Sequence, residues 1–272
     1  MNEYNFSTGR ASEAAPVRWT KPKEGAIEAQ IVADQDLADV AYRLRYEAYL
    51  DGAFIPESAV QRFSDEYDTY GNSRTVVVFQ DGVPAGTVRV TRHDPGGCEN
   101  DRHDLPCMKL FEHEIERLVA QLHLPARTPR LIEINRLARS TIYKNNINVI
   151  FALFRFAAYI HLEFDADIVL NAVRAHHAPM YRRFGFQQVE APRQYPGLAM
   201  KTGLVASFPS GHAGLIEGQP FLRGISKDDA AYAGLIAGER VAIFGDNAPS
   251  AVRPAGPVAP LSQTPDGLRN CA

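Results

Sequence analysis

Apolar residues keep two rhythms along this chain, and the switches between them divide residues 34–207 into elements. Leu37, Val40, Ala41, Leu44 and Ala48 recur at helical spacing, which predicts a helix over 34–50 with Asp34 or Asp36 as its N-cap. Arg45 and Tyr49, four apart, then share one of its faces. Residues 75–80, the pair Asp81-Gly82 and residues 83–91 read as a β-hairpin, because Asp-Gly supplies the positive φ angles of a two-residue turn. Alternation in its second strand sets Thr87, Arg89 and Thr91 on one face, Val88 and Val90 on the other. A loop rich in Asp, Gly, Pro and His follows over 93–106, then an amphipathic helix near 109–122 and a strand over 131–138. Ile147, Ile150, Phe151, Phe154, Ala157, Ala158 and Leu162 predict a long core helix over 145–164. A buried strand over 167–173, a short helix over 178–184 ended by Gly185, and strands over 186–190 and 198–207 complete the pattern.

Outside these limits the rhythm fades. Residues 1–25 mix Gly, Pro, Ser and charge without a period and read as a flexible arm. After Ser210 only 227–236 reads as helical, and 247–272, rich in Pro, Ala and Ser, reads as disordered. The division is therefore an arm over 1–25, a domain over 26–210 and an extension over 211–272, with no internal repeat.

Composition narrows the function more than the fold. With 272 residues, 45% hydrophobic and 22% charged, the chain has the make-up of a soluble globular protein of one or two domains. A net charge of −3 argues against broad nucleic-acid binding, which needs a basic surface. Cys98, Cys107 and Cys271 include no CxxC pair, so neither a disulfide framework nor a zinc ribbon is indicated. His103, His113 and His123 fall on loop or helix-surface positions, so no metal site is expected. No signal-peptide core and no apolar run of membrane-spanning length is seen, and the expected location is cytoplasmic.

Four polar clusters punctuate the pattern in fixed order: Arg45-Tyr46-Glu47-Ala48-Tyr49, Asp65-Glu66-Tyr67-Asp68, Gly86-Thr87-Val88-Arg89 and Glu133-Ile134-Asn135-Arg136. Together with the element order and the segment from Ala178 to Phe186, they resemble the GCN5-related N-acetyltransferase fold. Within it they are similar to the acyl-homoserine lactone (autoinducer) synthases and, more closely, to the N-acyl amino acid synthases. The resemblance implies an α/β (α+β) fold with a central mixed, mostly antiparallel sheet flanked by helices. It also implies an acyltransferase that moves a medium or long fatty acyl group from acyl carrier protein to the α-amine of an amino acid. No tightly bound cofactor is implied, the co-substrate being an acyl-phosphopantetheine thioester on acyl carrier protein or coenzyme A.

Carried over by position, Glu133 becomes the general base and Arg45, Tyr49, Asp65, Asp68, Arg89 and Arg136 the acceptor-binding set. Those acids and arginines read equally as a structural ion-pair network. Tyr181 stands where the fold often keeps a proton donor for the leaving thiolate, with core packing as its other reading. Spacing by three puts Glu133 and Arg136 on opposite strand faces, unless the β-bulge usual in this fold brings them to one side. The loop before the long helix, from Arg139 to Asn148, lacks the glycines with which coenzyme A users cradle a pyrophosphate. An acidic carrier protein would instead meet Lys144, Asn145, Arg155, Arg182 and Arg183. The rival readings are a lactone synthase, an acetyl-CoA-dependent acetyltransferase, and a non-catalytic domain that binds an acyl ligand or a partner.

Overall fold

The computed structural model of the chain describes residues 27–93, 104–122, 128–208 and 218–244. The arm over 1–25, Cys98, Cys271, His103, His123 and the tail over 247–272 lie outside the described residues. Helix α1 (Gln35–Asp51) is capped by Asp34, whose side chain accepts from the Leu37 N–H at 2.8 Å, while Asp36 lies in its first turn. Strands β2 (Ser73–Gln80) and β3 (Val83–Arg92) form the hairpin, with Asp81 and Gly82 both at positive φ. Then come α2 (Met108–Gln121), β4 (Leu131–Arg139), α3 (Ile147–Phe164), β5 (Ile168–Val173) and α4 (Ala178–Arg183), the last stopped by Gly185 at φ 78°.

Four strands differ from the sequence reading. The expected strand over 186–190 shrinks to β6 (Gln187–Gln188), and the turn before β8 (Lys201–Ser207) holds an extra pair, β7 (Arg193–Gln194). Strand β1 (Ile27–Ile31) has no counterpart in the sequence reading, although Ile27, Ala29 and Ile31 alternate and are the buried positions. Helix α5 (Ala230–Ile236) and β9 (Val241–Ala242) come from the C-terminal stretch.

The strands join in the order β6–β8–β5–β4–β3–β2–β1–β9, with β7 on β8. Every pairing is antiparallel except β4–β5, which gives the mixed, mostly antiparallel sheet that the resemblance implies. Helix α3 covers one face, packing on Val76, Val88, Val90, Ile132 and Val169. Gly86 permits this approach, since a Cβ there would meet the Ala138 carbonyl and the side chains of Val149 and Leu153 at 3.0–3.1 Å. By composition α3 is long and apolar enough to cross a membrane, yet most of it is buried in this core. Helices α1 and α2 cover the other face, over Val77 and Phe79 and over Leu131, Ile168 and Leu170.

Residues 218–244 belong to the same core. Phe221 stacks on Phe151 of α3 at 4.4 Å, and β9 extends the sheet edge at β1. Arg155 of α3 anchors this segment: its guanidinium donates to the Phe221 and Arg223 carbonyls at 2.9 Å each, to the Tyr159 hydroxyl and to Asp229. That corrects its expected role in carrier-protein docking, because a side chain buried to this degree, with both Nη groups bound to internal acceptors, offers a partner nothing.

Candidate active site

Strands β4 and β5 pair in parallel for three residues, Leu131–Ile168, Ile132–Val169 and Glu133–Leu170, and then part. A wedge opens between residues 134–139 and 171–173. Its apex is held by the fully buried Asn171, whose amide nitrogen donates to the Ile134 and Leu170 carbonyls at 2.9 Å. A side chain thus replaces the next rung of the ladder and keeps a carbonyl satisfied where the strands diverge. The hydroxyl of Tyr181 is hydrogen-bonded to Asn171, and burial pushes its pKa up to about 12, so it stays protonated.

Glu133 is the last β4 residue paired across the wedge and is 1% exposed. Its carboxylate accepts from the Cys107 backbone N–H at 2.8 Å and is hydrogen-bonded to the Cys107 thiol. Burial drives its pKa up from 4.5 to about 7, against the opposing pull of the Cys107 hydrogen bonds and the charges of Arg89 and Arg136. The thiol, buried beside that carboxylate, is pushed well up and remains un-ionised. The group therefore sits where a proton acceptor working near neutrality needs to be.

The bulge lies in β4. Thr87 faces Ala138 and Arg89 faces Asn135, so Arg136 and Leu137 together oppose Val88. Arg136 adopts a left-handed φ of 51°, a conformation that costs a non-glycine residue about 1 kcal/mol. In return its side chain turns to the face of Arg89 and Glu133, where both nitrogens Nε and Nη2 reach Asp65 at 2.9 and 2.6 Å.

Asp65 bridges this bulge to β3, accepting from Arg89 at 2.6 and 3.2 Å. Asp68 accepts from Arg45 Nη1 through both its oxygens, at 2.7 and 2.8 Å, lies 2.8 Å from Arg89, and closes a capping box with Asp65 around the 3-10 turn Glu66–Asp68. Asn135 receives the remaining Arg89 nitrogen at 2.7 Å. Arg45, Arg89 and the Asp68 side chain are 2% exposed or less, so three of the predicted acceptor-binding residues form a buried buttress instead of a contact surface. Burial opposes ionisation of Asp65, but Arg89 and Arg136 overcome it and hold the carboxyl far below its usual range.

Above the buttress is an aromatic cup. Arg136 packs against the rings of Phe63 and Tyr195, 5.0 and 5.6 Å from their centres, and is hydrogen-bonded to Tyr49. Tyr49 packs on Phe63 and Phe54 at 4.8 and 6.2 Å. Tyr49 and Arg136 thus reach the cup as a pair. The sequence alone does not place Cys107, Phe63 or Tyr195 here, because they come from loops whose paths carry no periodic signal, nor does it give roles to Asn135 and Asn171, which depend on the register at the bulge and on where β4 and β5 part.

The donor side holds the other predicted residues. Lys144 and Asn145 are exposed on the turn before α3, and Arg182 and Arg183 are exposed at the end of α4. In that turn the N–H groups of Tyr143, Lys144 and Asn146 donate to the carbonyls of Ser140, Thr141 and Tyr143, and that of Asn148 to the Asn146 side chain. Those amides are spent within the chain. Among the described residues no group of three or more His, Cys, Asp or Glu side chains is placed to hold a metal.

A sheet that splays beside a buried carboxylate, with a protonated tyrosine at the apex, is the arrangement that the resemblance to GCN5-related acyltransferases implies. Comparison with known proteins narrows the class. The model of the N-acyl amino acid synthase FeeM family matches residues 40–207, and the chain belongs to that family. The solved FeeM structure, an N-acyl amino acid synthase from uncultured soil microbes, superposes with a TM-score of 0.55 at 17% identity, covering 73% of this chain and 98% of that one. The acyl-homoserine lactone synthase LasI gives 0.49 at 15% identity over 71% and 94%, and a putative N-acetyltransferase from Lactobacillus plantarum 0.44 at 12% over 67% and 98%. No curated protein sequence matches the chain.

Proposed function

We propose that the chain is a cytoplasmic synthase that moves a medium or long acyl group from acyl carrier protein to the α-amine of an amino acid. The observation that carries this reading is the position of Glu133: at the apex of the β4–β5 wedge, buried, with a pKa of about 7. An acceptor arrives as an ammonium ion, so it must lose one proton to become nucleophilic and a second once the C–N bond has formed. Glu133 takes the first through a water. The amine attacks the thioester carbon, the tetrahedral intermediate collapses with cleavage of the C–S bond, and the sulfur leaves as a thiol. Tyr181 supplies the thiol proton and regains one from the nitrogen by way of solvent. Backbone freed by the bulge at Arg136 is the candidate donor to the developing oxyanion.

Two features support a carrier protein over coenzyme A. In the turn before α3 the amides of Tyr143, Lys144, Asn146 and Asn148 are engaged internally, and the turn has no glycine to bring backbone close to a pyrophosphate. The same turn exposes Ile142 at 79% beside Lys144, an apolar contact flanked by positive charge that suits an acidic protein surface. An apolar cavity of about 60 Å³ on the α3 face, lined by Ile134, Phe154, Ala157, Val169, Phe184 and Phe221, offers the first few carbons of an acyl chain an apolar environment. Ile134 and Val169 flank the wedge, so a chain entering there meets apolar walls, each buried methylene contributing about 0.8 kcal/mol.

The test is mass spectrometry of lipid extracts from a host expressing the protein, beside Glu133→Ala. New N-acyl amino acids should accumulate with the unaltered chain and vanish in the variant. Extracts without them in both cases would sink the proposal.

A further inference from the structure

An amino acid acceptor brings a carboxylate to the site, and its receptor must stand beside the cup on the face that carries Glu133. The three arginines of the polar clusters are already engaged. Arg45 and Arg89 are fully buried and bound to Asp65, Asp68, Thr75 and Asn135. Arg136 gives two nitrogens to Asp65, is hydrogen-bonded to Tyr49, and packs against the rings of Phe63 and Tyr195. Lys109 is paired with Glu66, and Arg193 with Glu114.

One cation on this face differs. Arg174 directly follows the last residue of β5, and strand alternation aligns it with Leu170, the partner of Glu133, and with Ala172, which packs on the Tyr49 cluster. Four residues of strand set it about 13 Å beyond Leu170, at the open end of the wedge, from which a long side chain reaches back toward the cup. Its guanidinium lies 4.5 Å over the ring of Phe54, with Tyr49 nearby. It is half-buried, and among the described residues no carboxylate pairs with it. Its hydrogen-bonding neighbour is His177 Nε2 at 3.4 Å. Burial and the charge of Arg174 lower the His177 pKa to about 4, so that ring is neutral and leaves the positive charge uncompensated.

We propose that Arg174 binds the α-carboxylate of the acceptor and thereby makes the enzyme select amino acids over simple amines. The assignment rests on the amino acid acceptor proposed above. A planar guanidinium backed by the Phe54 ring presents its outer edge as a two-pronged donor matched to a carboxylate. Held at that point, the α-amine one carbon away is directed toward the wedge and the Glu133 side. No residue of the polar clusters could supply this contact without giving up an internal ion pair.

The experiment measures acylation of amino acids and of the amines made from them by decarboxylation, with long-chain acyl thioesters on acyl carrier protein and on coenzyme A. It compares the full chain with Arg174→Gln and Arg174→Lys, after thermal melts establish that each is folded. Arg174→Gln should raise KM for amino acids about 10- to 100-fold with kcat changed far less, and leave KM for the matching amines unchanged. Arg174→Lys, which keeps charge but not the fork, should fall between. A folded Arg174→Gln enzyme that still prefers amino acids as strongly as the unaltered chain overturns the assignment alone. An unaltered chain that acylates amines but no amino acid overturns the acceptor reading and the assignment with it.

Discussion

In the folded chain Glu133 keeps its proton up to about pH 7, whereas unfolded it releases it near 4.5. Between those values the native state binds more protons than the unfolded one, so its stability falls as pH rises, by about 3 kcal/mol in all, and levels off above 7. Glu133→Gln removes that cost. We expect the variant to melt roughly 5 to 10 °C higher than the unaltered chain at pH 8 and at the same temperature at pH 4.5. Its activity should be lost, together with the rise of kcat/KM through an apparent pKa of about 7 that the unaltered enzyme should display. Equal melting temperatures at pH 8 would mean that the carboxylate is better solvated than its burial implies. The sequence makes Glu133 legible as part of a motif, but its altered acidity depends on Cys107, which a loop without any pattern delivers to it.

At the scale of elements, the helices and the hairpin are legible because periodicity reports directly which side of an element faces a core. A bulge is not, since one inserted residue changes the face of a side chain while leaving the composition of the strand intact. Arg136 is the case in point: the spacing from Glu133 separates them, and the left-handed backbone at Arg136 reunites them. Arg155 is the converse. Its charge on an apolar helix reads as an exposed contact, because nothing local announces that carbonyls from residues 221 and 223 will meet it. Arg155→Met should therefore loosen residues 218–244 from α3. Limited proteolysis is expected to cut this stretch at least tenfold faster in the variant, with a loss of about 3 kcal/mol in denaturant titration. Unchanged cleavage would show that Phe221 and β9 hold the segment unaided.

For the whole molecule, the sheet separates two compartments that share one opening: a polar, aromatic cup under α1 and α2, and an apolar space under α3. In the proposed reaction the acceptor takes the first and the acyl tail the second, so each can be altered without the other. Adding coenzyme A should shift the melting temperature by less than 1 °C, while an acyl carrier protein charged with a long chain shifts it by several degrees at saturating concentration. Equal shifts would refute the carrier preference read from the turn before α3. The fold and the order of the clusters are legible from sequence because they span most of the chain. The division into compartments is not, because it rests on where two strands stop pairing.

That parting leaves edges of main chain inside the protein with no neighbour beyond Ile134 and Asn171. Such edges attract whatever carries amides at the rise of an extended peptide. A slender linear guest can thus be gripped by backbone alone, indifferent to side chains. Substitutions along the gap should change which tails fit long before they loosen the arm that delivers them.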